Sequence, residues 1–283
     1  MISLTVHWSG DGYDNLKEKG RYNVWRPTHF KAELGLLANA VREIDARHVI
    51  WTTVPHVTIA PVARGVKGKV EKGSRYFKYY TRPWIRDQDF DPDEDHPYLT
   101  ADDARAVDSA IDQYNYAIED TVKAGRNEKR DWRLLDLAGL LDRLASRRFI
   151  EDPDMTPPAW WSEYPLPDEL KALKPPPDSR FFTSGPEGRI RGGLFSLDGV
   201  HATTIAYGLM AQEFINVMTD AGVDFIDRAG AVREPPVAVD FKRLVRLDTL
   251  ISHPPRSLDS DVALLGSLDE QVDVFKRLWG GIG

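Results

Sequence analysis

The segment H-V-I-W-T-T-V-P, His48 to Pro55, most constrains what this chain can become. Its β-branched and aromatic residues favour a pleated, buried strand, and the proline ends the run. Ahead of it, Phe30, Leu34, Leu37, Val41 and Ile44 step by four and three, which places them on one face of a helix announced by Pro27 and Thr28. Behind it, Thr100 and Asp103 have the spacing of a capping box, and Ala104, Val107, Ile111, Tyr114, Ile118 and Val122 predict a helix of about six turns. W-R-L-L-D-L, Trp132 to Leu137, reads as the next strand and runs into a helix through Arg147. Helix, strand, helix, strand, helix is an α/β order, and the buried strand at 48–55 is expected to be parallel to its neighbour.

The rest of the chain is organised around that core as one domain over residues 1–283. Met1 to Trp8 alternates Ile2, Leu4 and Val6 with Ser3, Thr5 and His7, so a strand pattern begins almost at the first residue, and Ser9 to Asn15 is turn-rich. Residues 56–99 and 151–190 read as insertions. Tyr76 to Tyr98 is aromatic, acidic and Pro-bearing without periodicity, a loop or lid, while the second stretch carries Trp160, Trp161, Phe181 and Phe182. Residues 237–283 read as a helical extension, with amphipathic patterns at Val237 to Ile251 and Leu268 to Leu278.

Composition excludes several function classes. A formal net charge of −7 and a pI near 5.6 argue against a nucleic-acid partner, which requires clustered Lys and Arg. The absence of cysteine removes disulfides, a thiolate nucleophile and Cys-based zinc sites. No apolar run approaches the roughly 20 residues of a membrane span, and Met1 to Trp8 lacks the pattern of a signal peptide, so a cytoplasmic protein without metal or cofactor is expected.

Asp-x-x-His occurs three times: Asp45 with His48, Asp93 with His96, and Asp198 with His201. The first straddles a helix end and a strand start, where His48 is expected to cap helix carbonyls or face the sheet edge. The second lies in the acidic run D-Q-D-F-D-P-D-E-D-H-P and reads as a solvated loop. The third differs in context, because a Gly-Gly turn and the apolar L-F-S-L deliver it to a loop just ahead of a helix begun by Thr203 or Thr204. Loops of this kind carry catalytic groups in α/β folds. An Asp one turn before His can accept the Nδ1 proton and leave Nε2 as a general base; the alternative is an Asx-turn acid beside a helix-capping His.

D-G-V-H-A-T-T-I-A-Y-G resembles the last block of the SGNH (GDSL-type) hydrolases, and H-V-I-W-T-T-V-P-H-V-T-I-A-P resembles that family's V-x-x-x-T-V-P-D-V-T segment. The resemblance covers roughly Phe30 to Met218 in order and spacing, apart from the two insertions. It implies a three-layer α/β/α fold with a mainly parallel sheet of the flavodoxin-like SGNH type. It also implies a Ser-His-Asp ester hydrolase acting on a small-molecule carboxylic or acetyl ester, with Asp198 orienting the imidazole and His201 as general base. The family's Gly-Asp-Ser, oxyanion Gly and Gly-x-Asn blocks have no counterpart; Gly10-Asp11-Gly12 has glycine where the nucleophile would stand. The expectation is therefore a domain lacking its first strands, completed by an upstream segment or by self-association. Two rivals stand beside it: a non-catalytic binding or assembly module with the same fold, and a hydrolase using Ser9 or Ser196.

Overall fold

The computed structural model describes residues 24–63, 65–66, 76–81, 85, 88–93, 98–145, 159 and 161–256. In chain order the elements are α1 (Pro27–Glu43), β1 (His48–Thr52), β2 (Gly65–Val66), β3 (Tyr79–Thr81), β4 (Tyr98–Thr100), α2 (Ala101–Asn127), β5 (Asp131–Leu135) and α3 (Leu137–Leu144). They continue with α4 (Asp168–Lys171), β6 (Thr183–Gly185), β7 (Gly188–Arg191), α5 (Thr204–Asp220), α6 (Phe241–Leu247) and α7 (Thr249–Ser252). The fold is of the α/β class. β1 pairs with β5 in parallel, His48 opposite Asp131 through Thr52 opposite Leu135, and the long helix α2 lies between them in sequence.

The helix α2 forms as its sequence dictates. Thr100 accepts the Asp103 N–H at 3.2 Å while Asp103 accepts the Thr100 N–H at 2.9 Å, closing a capping box that satisfies donors at the helix start. All six apolar positions read from its periodicity are buried. Val107, Ile111, Tyr114, Ile118 and Val122 pack with Leu34 and Ala38 of α1, Trp51 of β1 and Trp132 of β5 in one apolar cluster. Gly125 is required there: a Cβ on it would lie 2.3 Å from the Trp132 ring, so helix and strand approach this closely only at glycine.

On α1 the expected face is corrected at two positions. Leu34 is buried, Phe30 stacks on Tyr114 at 4.3 Å and Val41 packs against the same cluster. Leu37 and Ile44 are 53% and 59% exposed. Ala38 takes the inward place beside Leu34, which turns Leu37 to the flank, and Ile44 already has extended backbone beyond the last turn.

The stretch read as an unstructured lid carries an antiparallel sheet in the order β2-β3-β4. Its aromatic residues hide the strand period because they pack on one another. Tyr79 lies 5.3 Å from both Phe90 and Tyr98, and Tyr76 and Tyr80 are buried with Ala104. In the second stretch Tyr164, Phe181 and Phe182 are buried, and β6 and β7 form a hairpin. The pattern at Val237 to Ile251 is two helices, α6 and α7, broken at Asp248. Met1 to Trp8, Ser9 to Asn15, His96, Trp160 and Leu268 to Leu278 lie outside the described residues.

A second apolar cluster gathers residues that follow the C-terminal ends of β1 and β5. It joins Ile59, Leu140, Leu141 and Leu144 to Leu194, Phe195, Ile205 and Leu209. Among the described residues β1 has one strand partner, β5, and no helix is long and apolar enough to cross a membrane.

Candidate functional site

The parallel pair ends in a set of polar contacts that hold its C-terminal edge. The Thr53 N–H donates to the Leu135 carbonyl at 3.1 Å, and the Ala138 N–H donates to Thr53 Oγ1 at 2.8 Å. One residue on, the buried Asn115 side chain of α2 accepts from the Val54 N–H at 2.7 Å and donates to the Val54 carbonyl at 2.9 Å. These bonds give the strand-end backbone partners where the ladder stops. The chain then turns through Val57 to Ile59, and the Val62 N–H donates to the Gly199 carbonyl at 3.1 Å. That bond brings the Asp198 loop to the chain leaving the C-terminal end of β1.

The loop is built from its own backbone. Ser196 N–H donates to the His201 carbonyl at 2.7 Å, Gly199 N–H to the Ser196 carbonyl at 3.0 Å, and Thr203 N–H to the Leu194 carbonyl at 3.0 Å. Phe195 and Ala202 form an antiparallel bridge across its base. Gly199 turns the tip at φ +68°, and a Cβ there would lie 2.5 Å from the Phe181 ring.

Within this loop Asp198 Oδ1 accepts from the Val200 and His201 N–H groups, each at 2.9 Å, and from Ser196 Oγ at 2.6 Å. Asp198 Oδ2 lies 2.5 Å from His201 Nδ1. Partial burial disfavours the charged carboxylate, but the Ser196 and His201 side chains and the two backbone donors outweigh it and hold its carboxyl well below the usual carboxylate range. An ionised Asp198 only accepts, so the proton of this bond sits on His201 Nδ1. The imidazole is 72% exposed, and no protein group occupies Nε2 among the contacts of the described residues. The pair can therefore take a proton at Nε2 while the carboxylate stabilises the imidazolium that results.

The other two Asp-x-x-His spacings behave differently. His48 bonds not to Asp45 but to Asp131, its partner in the strand register, with Nδ1 2.5 Å from Oδ2. Asp131 also accepts from Arg133, so His48 belongs to a cross-strand hydrogen-bonded group rather than capping the preceding helix. Asp93 donates its N–H to Asp91 Oδ1 in a local turn. Ser196 is likewise placed: its hydroxyl faces the Asp198 carboxylate, on the acid's side of the pair and away from Nε2.

A second imidazole was not foreseen. His56, in V-P-H-V-T, is 6% exposed and lies between Asp142 of α3, 3.1 Å from Nδ1, and Asp112 of α2, 3.0 Å from Nε2. Beside it Asp108 accepts from Thr58 Oγ1 at 2.8 Å and from Tyr76 at 3.1 Å. Burial disfavours the imidazolium, but the Asp112 and Asp142 carboxylates, with Asp108 beyond, raise His56 from 6.5 to about 9. The available signal was Asp108, next to Val107 and one turn before Ile111 on the apolar face of α2 with Asp112 at i+4, since a buried carboxylate needs a cationic or hydroxyl partner. Among the described residues no group of three His, Asp or Glu side chains has the arrangement of a metal site. Compared with family models, with curated proteins and with solved structures, the chain matches none.

Proposed function

We propose that Asp198 and His201 are the acid and base of a serine-type ester hydrolase of SGNH character, acting on a carboxylic or acetyl ester. The observation that carries the reading is the bond from His201 Nδ1 to an ionised Asp198, with Nε2 exposed. In this reaction His201 Nε2 takes the proton of a serine hydroxyl as its oxygen attacks the ester carbonyl. It then returns that proton to the departing alcohol as the tetrahedral intermediate collapses to an acyl-enzyme. Water repeats the cycle, with His201 again as base, and releases the carboxylic acid. The reading requires the serine of a Gly-Asp-Ser block, which the 283 residues do not contain, and the three-layer SGNH sheet belongs to the same proposal.

The test is hydrolysis of short-chain aryl esters by the polypeptide extended upstream through that block, beside the same polypeptide with His201→Ala. Turnover that falls by several orders of magnitude supports the reading. Turnover within a factor of ten of the parent rules out His201 as the base. Fluorophosphonate labelling of the 283-residue chain at Ser196 would move the nucleophile into this chain and discard the upstream serine.

A further inference from the structure

We infer that Asp248 is a positioning residue for His201, holding in place the helix that begins three residues after it; the inference rests on the acid–base reading above. Helix α5 starts at Thr204, and the residue before it has the side chain that normally caps a helix, but Thr203 Oγ1 donates instead to the Gly193 carbonyl at 2.7 Å. The first turn is capped from 43 residues downstream. Asp248, 3% exposed, accepts from the Ile205 N–H at 3.1 Å through Oδ2 and from the Leu250 N–H at 3.2 Å through Oδ1. One buried carboxylate thus serves two helix starts, α5 and α7. It also acts on Arg189, which donates to the Gly192 carbonyl at 2.6 Å: burial lowers that guanidinium below its usual range, and the Asp178 and Asp248 carboxylates only partly offset the shift.

The same corner reaches the other end of the loop. Ile251, one turn beyond Asp248, lies where a Cβ on Gly193 would meet its Cδ1 at 3.1 Å. Gly193 and Leu194 open the loop and Ile205 follows it, so α6 and α7 bracket both of its ends. Between these anchors the His201 backbone is fixed by the bonds to Ser196 and the ring by Asp198. Without Asp248, the buried Ile205 N–H loses its acceptor, and the chain just after His201 must move to find another. A displacement there tilts the ring relative to Asp198 Oδ2 and loosens the Nδ1 proton.

The experiment reads the His201 tautomer directly, in the ¹⁵N-labelled 283-residue chain. Ring ¹⁵N shifts of His201, assigned by their loss in His201→Gln, give the populations of the Nδ1–H and Nε2–H forms of the neutral imidazole. The wild-type chain is expected in the Nδ1–H form. Asp248→Ser still caps α7 locally but is too short to reach Ile205, and it should lower the Nδ1–H population about twofold or more. Val122→Ala, which loosens the other apolar cluster, should leave it unchanged. An Nδ1–H population in Asp248→Ser equal to the wild type overturns the inference and leaves the acid–base reading standing; no Nδ1–H preference in the wild type overturns both. Where Asp248→Ser does not fold, amide exchange in the wild-type chain decides: Ile205 protected as strongly as the α5 interior supports the contact, and exchange at a free-peptide rate overturns it.

Discussion

His56 and His201 each present Nδ1 to an aspartate, yet only one of them is placed to act as a base. At His56 a second carboxylate occupies Nε2, the ring is buried, and both nitrogens must keep their protons to satisfy their partners. At His201 the ring is mostly exposed, and no described group bonds the second nitrogen. An aspartate beside histidine therefore does not make a catalytic pair; the occupancy of the other nitrogen decides. The first imidazole ties α2 and α3 to the chain leaving β1, and the second leaves its proton site open.

The largest effect that separates the two is on turnover. In an active, upstream-extended polypeptide, His201→Ala should lower kcat about 10⁵- to 10⁶-fold and Asp198→Asn about 10⁴-fold, because the imidazole keeps its place but loses tautomer control. Equal losses from His201→Ala and His56→Ala, measured at a temperature where both variants are folded, would erase the distinction. The next effect is on stability. His56→Ala should cost about 3 kcal/mol or more in denaturant unfolding, since it removes the cation between Asp112 and Asp142, whereas His201→Ala should change it by about 0.5 kcal/mol or less.

The pH dependence carries the sign of the same contrast. His56 is raised from 6.5 to about 9, so its contribution is fully present below pH 6.5 and is lost as pH rises through 9. The wild-type chain should lose stability over that window, on the order of 3 kcal/mol from this group, and His56→Ala should flatten the curve. Asp198 has the opposite sign: a depressed carboxyl stabilises above its unfolded value of about 3.8 and the contribution is lost as pH falls below it, a smaller effect because the group is partly solvated. The smallest expected effect is at His48. His48→Ala should cost about 1 kcal/mol or less and leave turnover unchanged, because its bond to Asp131 sits at the opposite end of the parallel pair.

What could be read from the sequence follows the range of the interactions involved. The α2 periodicity, its capping box and the two parallel strands depend on neighbours in sequence, and the structure follows them closely. The Asp198–His201 contact is likewise local, three residues apart. The partners of His56 and His48 lie more than fifty residues away, and the strands of the β2-β3-β4 sheet meet across intervening loops; no spacing encodes such pairings. Val237 to Ile251 misled for a different reason. Its apolar period continues across the break, while Asp248, an ordinary polar residue in a helical pattern, turns inward to cap two helices at once.

The loop that carries Asp198 and His201 takes nearly all of its shape from residues 194–203. Its carboxylate, hydroxyl, imidazole and backbone donors answer one another within that span, and Val62, Phe181 and the Asp248 corner are its joints to everything else. A unit so self-referential is portable. A ten-residue cyclic peptide of 194–203, closed where Leu194 and Thr203 already meet, should keep the bonds around Asp198 but, without the Asp248 corner, hold the His201 ring less firmly in its Nδ1–H form.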